Sequence, residues 1–170
     1  MLYPLLFRPV YKERIWGGRK LAEKYHREMP EGKIGESWEI TCHDNGMSVI
    51  RNGPLAGLRL GDAIEKYGKE LLGAAVYRED YRRFPLLIKI LDASDVLSVQ
   101  VHPGDAYANA HENGEPGKTE MWYVIDAEPG AKLVHGVRRG VSRGDFRDCL
   151  EQGRLEDCLT ELEVKPGDVL

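Results

Sequence analysis

Hydrophobic and polar positions alternate over short runs along most of the chain, and turns containing glycine or proline separate these runs. Successive side chains of a strand point to opposite faces, so this alternation predicts β-strands. The predicted strands lie in the segments GESWEITC, MSVIRNGPL, FPLLIKIL, VLSVQVHP, KTEMWYV, AKLVHG and LTELEV. Many short strands joined by turns predict a mainly β fold, an antiparallel barrel or jelly roll with a few appended short helices.

The segment GDAIEKYGKELLG has the clearest helical pattern. Asp62 can cap this helix, with Glu65 as its partner in a capping box. Ile64 and Leu71 share an apolar stripe at helical spacing, and Gly73 is a natural stop. We therefore expect a helix near residues 62 to 72 that packs on the outside of the sheets.

Two shorter helices are expected, in IWGGRKLAEKY and in RGDFRDCLEQG, and a Gly-, Pro- and Asn-rich loop is expected at 103–117. Near the end of the chain, Pro166-Gly167-Asp168 predicts a turn. Val169-Leu170 then begins a strand that has no room to continue. We therefore expect this chain to be the N-terminal part of a longer protein, with an open strand edge near 159–170 through which copies could self-associate.

Composition narrows the class of protein. The chain has 170 residues, 42% of them hydrophobic, and 24 basic against 28 acidic side chains, which is typical of one globular domain without a basic surface for nucleic acid or acidic membranes. The opening segment, broken by Pro4 and Pro9, fits neither a signal peptide nor a membrane span. Three cysteines without a CxxC pair predict free thiols in a reducing cytoplasm.

Three side chains suggest a metal site. Gln100 and His102 lie two apart on one predicted strand, and Glu120 lies on another, so all three can reach one point above a sheet. An amide oxygen, an imidazole and a carboxylate suit zinc or another divalent ion, with a fourth protein ligand or water completing the site. The alternative is an ordinary polar face of a sheet.

Two lysines, Lys89 and Lys118, also lie in predicted strands of this part of the chain. Lys89 falls inside PLLIKIL, which is apolar on both faces, so its ammonium must be desolvated or must serve an anion. The alternative is a lysine whose stem is buried on an edge strand while its ammonium reaches water. Lys118 shares a face with Glu120, and a simple salt bridge would also explain that pair.

The segments RIWGG, GESWEI, FPLLIKILDASDVLSVQVHP, GKTEMWYVIDA and VKPGDVL occur in an order that resembles type I mannose-6-phosphate isomerases of the cupin superfamily. The resemblance covers essentially the whole chain. It implies a cupin-type jelly roll and a metal-dependent aldose–ketose isomerase, which interconverts mannose 6-phosphate and fructose 6-phosphate through an enediol. It also implies one zinc or other divalent ion per chain and a cytoplasmic enzyme.

The resemblance assigns roles by position. It implies that the metal ligands are Gln100, His102 and Glu120, that the substrate-binding residues are Ser98, Lys89 and Lys118, and that the two lysines are also catalytic. Trp16 and Glu36 match signature positions. We expect Trp16 to pack beneath the site, and the role of Glu36 stays open.

One departure from the family matters. The family's segment after the Pro-Gly-Asp turn continues to a histidine that completes the metal site, and a later part supplies an arginine; this sequence ends at Leu170 before either. We expect 1–170 to be a single cupin-like catalytic domain, with a β/helix region at 1–83 and the metal-site strands at 84–170. Two alternatives remain: a non-catalytic metal- or sugar-binding cupin module, and a different metal-dependent cupin enzyme such as an oxygenase.

Overall fold

The computed structural model describes residues 2–77, 84–114 and 116–170. The chain separates into two compact units, the first ending at Leu97 and the second beginning at Ser98. The expected single domain, with its internal division after residue 83, stays a prediction, because compactness alone does not show which parts of a chain act together.

The elements are short, and each strand pairing found among the described residues is antiparallel. The strands are β1 Phe7–Arg8, β2 Val10–Gly18, β3 Ile34–Ile40, β4 Cys42–His43, β5 Gly46–Met47, β6 Val49–Ile50, β7 Ile88–Leu91, β8 Lys132–Val137 and β9 Leu159–Glu163. The helices are α1 Lys20–Glu23, α2 Leu60–Leu72, α3 Asp105–His111 and α4 Arg143–Glu151, with 3-10 turns at Gly53–Leu55 and Leu155–Cys158.

The centre of the first unit is a three-stranded sheet in the order β2–β3–β7. Strand β3 lies between the other two, and its residues from Ile34 to Trp38 are buried. Strand β2 approaches β3 closely, since a Cβ added at Gly17 would lie 2.5 Å from the backbone nitrogen of Gly35. Glycine at position 17 therefore allows the close packing of these two strands.

Helix α2 buries Leu60 and Ile64 against Cys42, as its apolar stripe predicts. Its end at Gly73 is confirmed, and the positive φ of 85° explains the preference for glycine there. The predicted cap is wrong. The helix begins at Leu60, two residues earlier than expected, with Arg59 as its N-cap and no side-chain capping bond, so Asp62 lies inside the first turn.

The second unit contains the antiparallel pair of β8 and β9, which α4 and the second 3-10 turn connect. Trp122 and Leu170 exchange two backbone hydrogen bonds, each 3.0 Å, and Tyr123 bridges to Val169. The last residues of the chain thus pair with residues 122–124.

Three expectations about this region are wrong. Residues 96–102 form no ladder, and the predicted strand from residue 118 is reduced to the short pairing at 122–124. A β-strand needs a hydrogen-bonded partner strand, and alternation within one segment cannot show whether such a partner exists. The predicted loop at 103–117 contains α3.

The cysteine expectation also needs correction. Cys149 and Cys158 are paired as a disulfide between α4 and the following 3-10 turn, and Cys42 is a buried free thiol. The prediction of three free thiols is therefore wrong. Within the described ranges, no helix has both the length and the apolar character needed to cross a membrane.

Candidate active site

In the second unit, a close backbone approach brings two predicted site residues together. A Cβ added at Gly117 would lie 2.5 Å from the backbone nitrogen of Asp105, so only glycine fits at this point. The Gly117 N–H donates to Asp105 Oδ1 at 2.8 Å, and the Lys118 N–H donates to the Pro103 carbonyl at 3.2 Å. These contacts hold Lys118 beside His102, which precedes Pro103.

The side chains of His102, Lys118 and Glu120 form one cluster. Glu120 Oε2 lies 3.2 Å from His102 Nε2, and Glu120 Oε1 lies 2.8 Å from Lys118 Nζ. Lys118 Nζ lies 3.3 Å from His102 Nε2. The side chains are partly exposed, at 25% for His102, 45% for Lys118 and 31% for Glu120, so a ligand from solvent can reach them.

Gln100 and Ser98 form a second contact in the same unit. The Gln100 amide donates to the Ser98 hydroxyl at 3.2 Å, and both residues are exposed. The structure thus brings His102, Lys118 and Glu120 into one cluster and links Gln100 with Ser98. The convergence of Gln100 with the other two metal ligands stays a prediction.

The donor set fits part of a divalent-metal site. An imidazole nitrogen and a carboxylate oxygen, from His102 and Glu120, face one point, and the cationic ammonium of Lys118 contacts both. These are ligand types that zinc accepts. In the part of the chain that the structure describes, no group of three or more His, Cys, Asp or Glu side chains is arranged to hold a metal ion.

A second cluster lies in the first unit, around the buried carboxylate of Glu36. Its Oε2 accepts hydrogen bonds from Trp38 Nε1 at 2.8 Å and from Arg14 Nη2 at 3.0 Å. Its Oε1 accepts from Lys89 Nζ at 3.4 Å, which is longer than a typical bond of this kind and makes it the weakest of the three. Arg14 is on β2, Glu36 and Trp38 are on β3, and Lys89 is on β7. All three strands of the sheet therefore contribute to the cluster.

The charges around Glu36 perturb its titration. Burial by itself raises the pKa of this carboxyl. The hydrogen bond from Trp38 and the charges of Lys89 and Arg14 outweigh the burial, so the pKa lies below its ordinary value. Glu36 is therefore an anion at neutral pH, and it neutralises one of the two cations beside it.

The position of Lys89 bears on whether its ammonium is paired with an anion or simply reaches water. Strand β7 lies at the edge of the three-stranded sheet, as the alternative with an exposed ammonium requires. The ammonium, however, is paired with Glu36 inside the unit, and only 24% of the side chain is exposed. Lys89 is therefore a partly buried lysine that is paired with Glu36 and keeps some contact with solvent.

The sequence motifs assign no role to two members of this cluster, Arg14 and Glu36. The alternation within GESWEI, with Glu36 between Ile34 and Trp38 on one face of a strand, carried the signal for a buried charge. Trp16 is buried at 9% exposure, as expected of a packing residue.

The sequence of this chain is similar to those of known isomerases. A model of the phosphomannose isomerase type I catalytic domain matches residues 5–127. The chain is 44% identical over 168 residues to a probable mannose-6-phosphate isomerase, GmuF, of Bacillus subtilis, covering 99% of this chain and 51% of that protein. It is 45% identical over 165 residues to the mannose-6-phosphate isomerase ManA of the same organism, covering 97% and 50%.

Two solved structures have a fold similar to that of this chain. The crystal structure of the mannose 6-phosphate isomerase from Bacillus subtilis matches with a TM-score of 0.88 at 37% identity, covering 98% of this chain and 51% of that chain. A putative mannosephosphate isomerase from Archaeoglobus fulgidus matches with a TM-score of 0.77 at 27% identity, covering 98% and 54%. The chain thus spans about half the length of these relatives.

These matches define the class of protein as one with a cupin fold, mainly β with a few short helices, and the predicted fold class is confirmed. The chain belongs to the type I phosphomannose isomerase family.

The Glu36 cluster generates a prediction about pH. The pKa of Glu36 is lowered on folding from an ordinary 4.5, so its contribution to stability is present above that value and is lost as pH falls through the lowered pKa. We expect Glu36→Gln to be less stable than the parent at pH 7, and this difference to shrink between pH 5 and pH 3. Urea unfolding across this range measures it.

The matched control is Glu31→Gln, which removes an exposed carboxylate from the same unit. Its stability should follow the parent at every pH. A difference between Glu36→Gln and the parent that stays constant from pH 7 to pH 3 would contradict the assignment of Glu36 as an ionised, paired carboxylate.

Proposed function

We propose that this chain contributes the substrate- and metal-binding half of an aldose–ketose isomerase that interconverts mannose 6-phosphate and fructose 6-phosphate. The observation that carries the proposal is the convergence of Lys118, His102 and Glu120 in a chain of this family. An imidazole, a carboxylate and an ammonium at one exposed point are suited to binding and polarising an oxygen-rich anion.

The metal assignment is part of the proposal. His102 and Glu120 would hold one divalent ion, zinc by preference of the donor types, with Gln100 as a third ligand. Such an ion supplies Lewis-acid polarisation of a sugar carbonyl or hydroxyl. With two neutral ligands and one carboxylate, the site keeps a net positive charge suited to an anionic intermediate.

The second part of the proposal concerns the roles of the two lysines. Isomerisation moves a proton between C1 and C2 of the sugar phosphate through an enediol, and negative charge develops on oxygen during that transfer. Lys118 and Lys89 are the cationic side chains that we assign to the phosphate and to the developing enediolate. Ser98 would contribute a hydroxyl to substrate binding. Charge-assisted hydrogen bonds of this kind are the strong ones.

The partner and location assignments follow from the same reasoning. The substrate is a hexose 6-phosphate, and we propose that the reaction takes place in the cytoplasm, where sugar phosphates are processed. Because Cys149 and Cys158 are paired, the cysteines give no support to this location, and the proposal rests on the substrate alone.

The lysine assignment gives the first test of this function. We expect Lys89→Met and Lys118→Met each to lower kcat/KM for mannose 6-phosphate by about 10- to 150-fold, because each removes a charge-assisted hydrogen bond to an anion worth about 1.5–3 kcal/mol. The measurement is a coupled assay of fructose 6-phosphate formation with zinc present. The dissociation constant of fructose 6-phosphate provides a second readout.

Lys132→Met is the matched control, because Lys132 forms an exposed ion pair with Glu161 at 2.9 Å in the same unit as Lys118. Its kinetics and substrate binding should equal those of the parent. Unchanged kcat/KM and unchanged binding in both Lys89→Met and Lys118→Met would refute the assigned roles.

The metal assignment has its own test. We expect the chain to bind zinc, and His102→Ala or Glu120→Gln to weaken binding by at least about tenfold, since even partners outside the ligand shell cost 10- to 100-fold. Calorimetric titration measures the affinity. His111→Ala, an exposed histidine at the end of α3, is the control. Equal zinc affinity in His102→Ala and His111→Ala would exclude His102 as a ligand.

Self-association is a further part of the proposal. Apolar side chains of the second unit are exposed, among them Met121 at 71%, Tyr123 at 59% and Val169 at 64%. Apolar side chains beside a short strand pairing favour association with a second copy. Sedimentation at rising concentration should show dimers or larger species, and a monomer throughout would contradict this expectation.

A further inference from the structure

The cluster around Glu36 has two cations and one anion, and the anion is the buried member. The side chain of Glu36 is 9% exposed, whereas that of Arg14 is 39% exposed and that of Lys89 is 24% exposed. Each cation contacts a different oxygen of the same carboxylate. The cluster therefore has a net charge of one positive unit and presents its positive members, not its negative one, to solvent.

The position of Arg14 is fixed by packing as well as by charge. A Cβ added at Gly35 would lie 2.6 Å from Arg14 Cβ and 2.7 Å from Arg14 Cγ, so the arginine stem occupies the space that a side chain at 35 would fill. The guanidinium is then held at both ends, with Nη1 donating to the Glu13 carbonyl and Nη2 donating to Glu36, each at 3.0 Å. This arginine is oriented before any ligand arrives.

We propose that Arg14 is a second cationic contact for the phosphate group of the substrate, and that Glu36 is the positioning residue that holds Arg14 and Lys89 side by side. This inference rests on the proposed function, because it takes Lys89 as a substrate-binding residue. An oriented guanidinium can bind two phosphate oxygens, and a lysine beside it adds a point charge. The pair suits a phosphate monoester better than a neutral sugar.

Glu36 allows the positioning role to be separated from a simple counter-ion role. Replacing it by glutamine removes a negative charge near the bound phosphate, and Coulomb attraction alone would then make phosphate binding tighter. A glutamine also replaces one of the two carboxylate oxygens by an NH2 group, which donates rather than accepts, so one of the two cations loses its partner. If positioning dominates, phosphate binding becomes weaker. The sign of the change therefore distinguishes the two roles.

The structure supplies a reporter for the experiment. The Trp38 indole N–H donates to Glu36, so its nitrogen–proton NMR signal senses the cluster directly. Trp16, in the same unit, gives a comparison signal, whereas Trp122 lines a pocket with Glu120 and reports on a ligand at that position. The probe is mannose 6-phosphate, with neutral mannose as the comparison. We expect mannose 6-phosphate to shift the Trp38 signal most, and mannose to leave it in place.

Three variants complete the test. We expect Arg14→Met to weaken mannose 6-phosphate binding about tenfold, as for loss of one charge-assisted hydrogen bond, and Arg14→Lys to recover part of that loss. Glu36→Gln should also bind more weakly than the parent. The control is Lys33→Met, which removes the same charge from an exposed position in the same unit and should bind like the parent.

Each outcome decides the inference. Parent-like binding by Arg14→Met, together with weakened binding by Lys89→Met, would overturn the role of Arg14 and leave the proposed function standing. Tighter binding by Glu36→Gln would reduce Glu36 to a counter-ion. If the parent itself gives no response to mannose 6-phosphate, the proposed function and this inference fail together. If Glu36→Gln does not fold, as judged by its three indole signals, Arg14→Met and Arg14→Lys still decide the main claim.

Discussion

The arrangement of the first unit depends on one constraint, the burial of the Glu36 carboxylate in the central strand of a sheet. An ionised carboxylate removed from water is costly unless hydrogen-bond donors replace its hydration. Here the donors come from Arg14 on β2, Trp38 on β3 itself and Lys89 on β7. The three strands must keep their register for all of these bonds to form. The same bonds that make burial tolerable also fix two cations where solvent can reach them.

The second unit reaches a comparable result by different means. The residues of its cluster do not lie in paired strands, because 98–102 and 118–120 have no strand partners. The backbone contact of Gly117 with Asp105, together with the bond from Lys118 to Pro103, closes the segment that contains α3. This closure brings together side chains that are 16 and 18 positions apart in sequence.

The sequence predicted that His102 and Glu120 approach each other, although not the elements that carry them, and the roles of these residues stay predictions. Alternation in an extended segment gives the same spacing of side chains whether or not the segment has a partner strand, so His102 and Glu120 could be selected while their strands were wrongly assigned. The fold class followed from the many short runs with turns between them. The Arg14–Glu36 contact joins residues 22 positions apart and depends on the bare backbone of Gly35, which alternation alone cannot reveal. The pairing of Cys149 with Cys158 depends on the same kind of tertiary information.

The proposed reaction moves a proton between two adjacent carbons, and the most direct measurement follows that proton. Fructose 6-phosphate is incubated with the chain and zinc in deuterium oxide, and proton NMR monitors the sugar. Transfer through an enediol predicts mannose 6-phosphate that carries deuterium at C2 in at least part of the product. A product that keeps only protium at C2 would contradict transfer through an enediol whose proton exchanges with solvent, and fructose 6-phosphate that stays unchanged would show that this chain does not carry out the isomerisation.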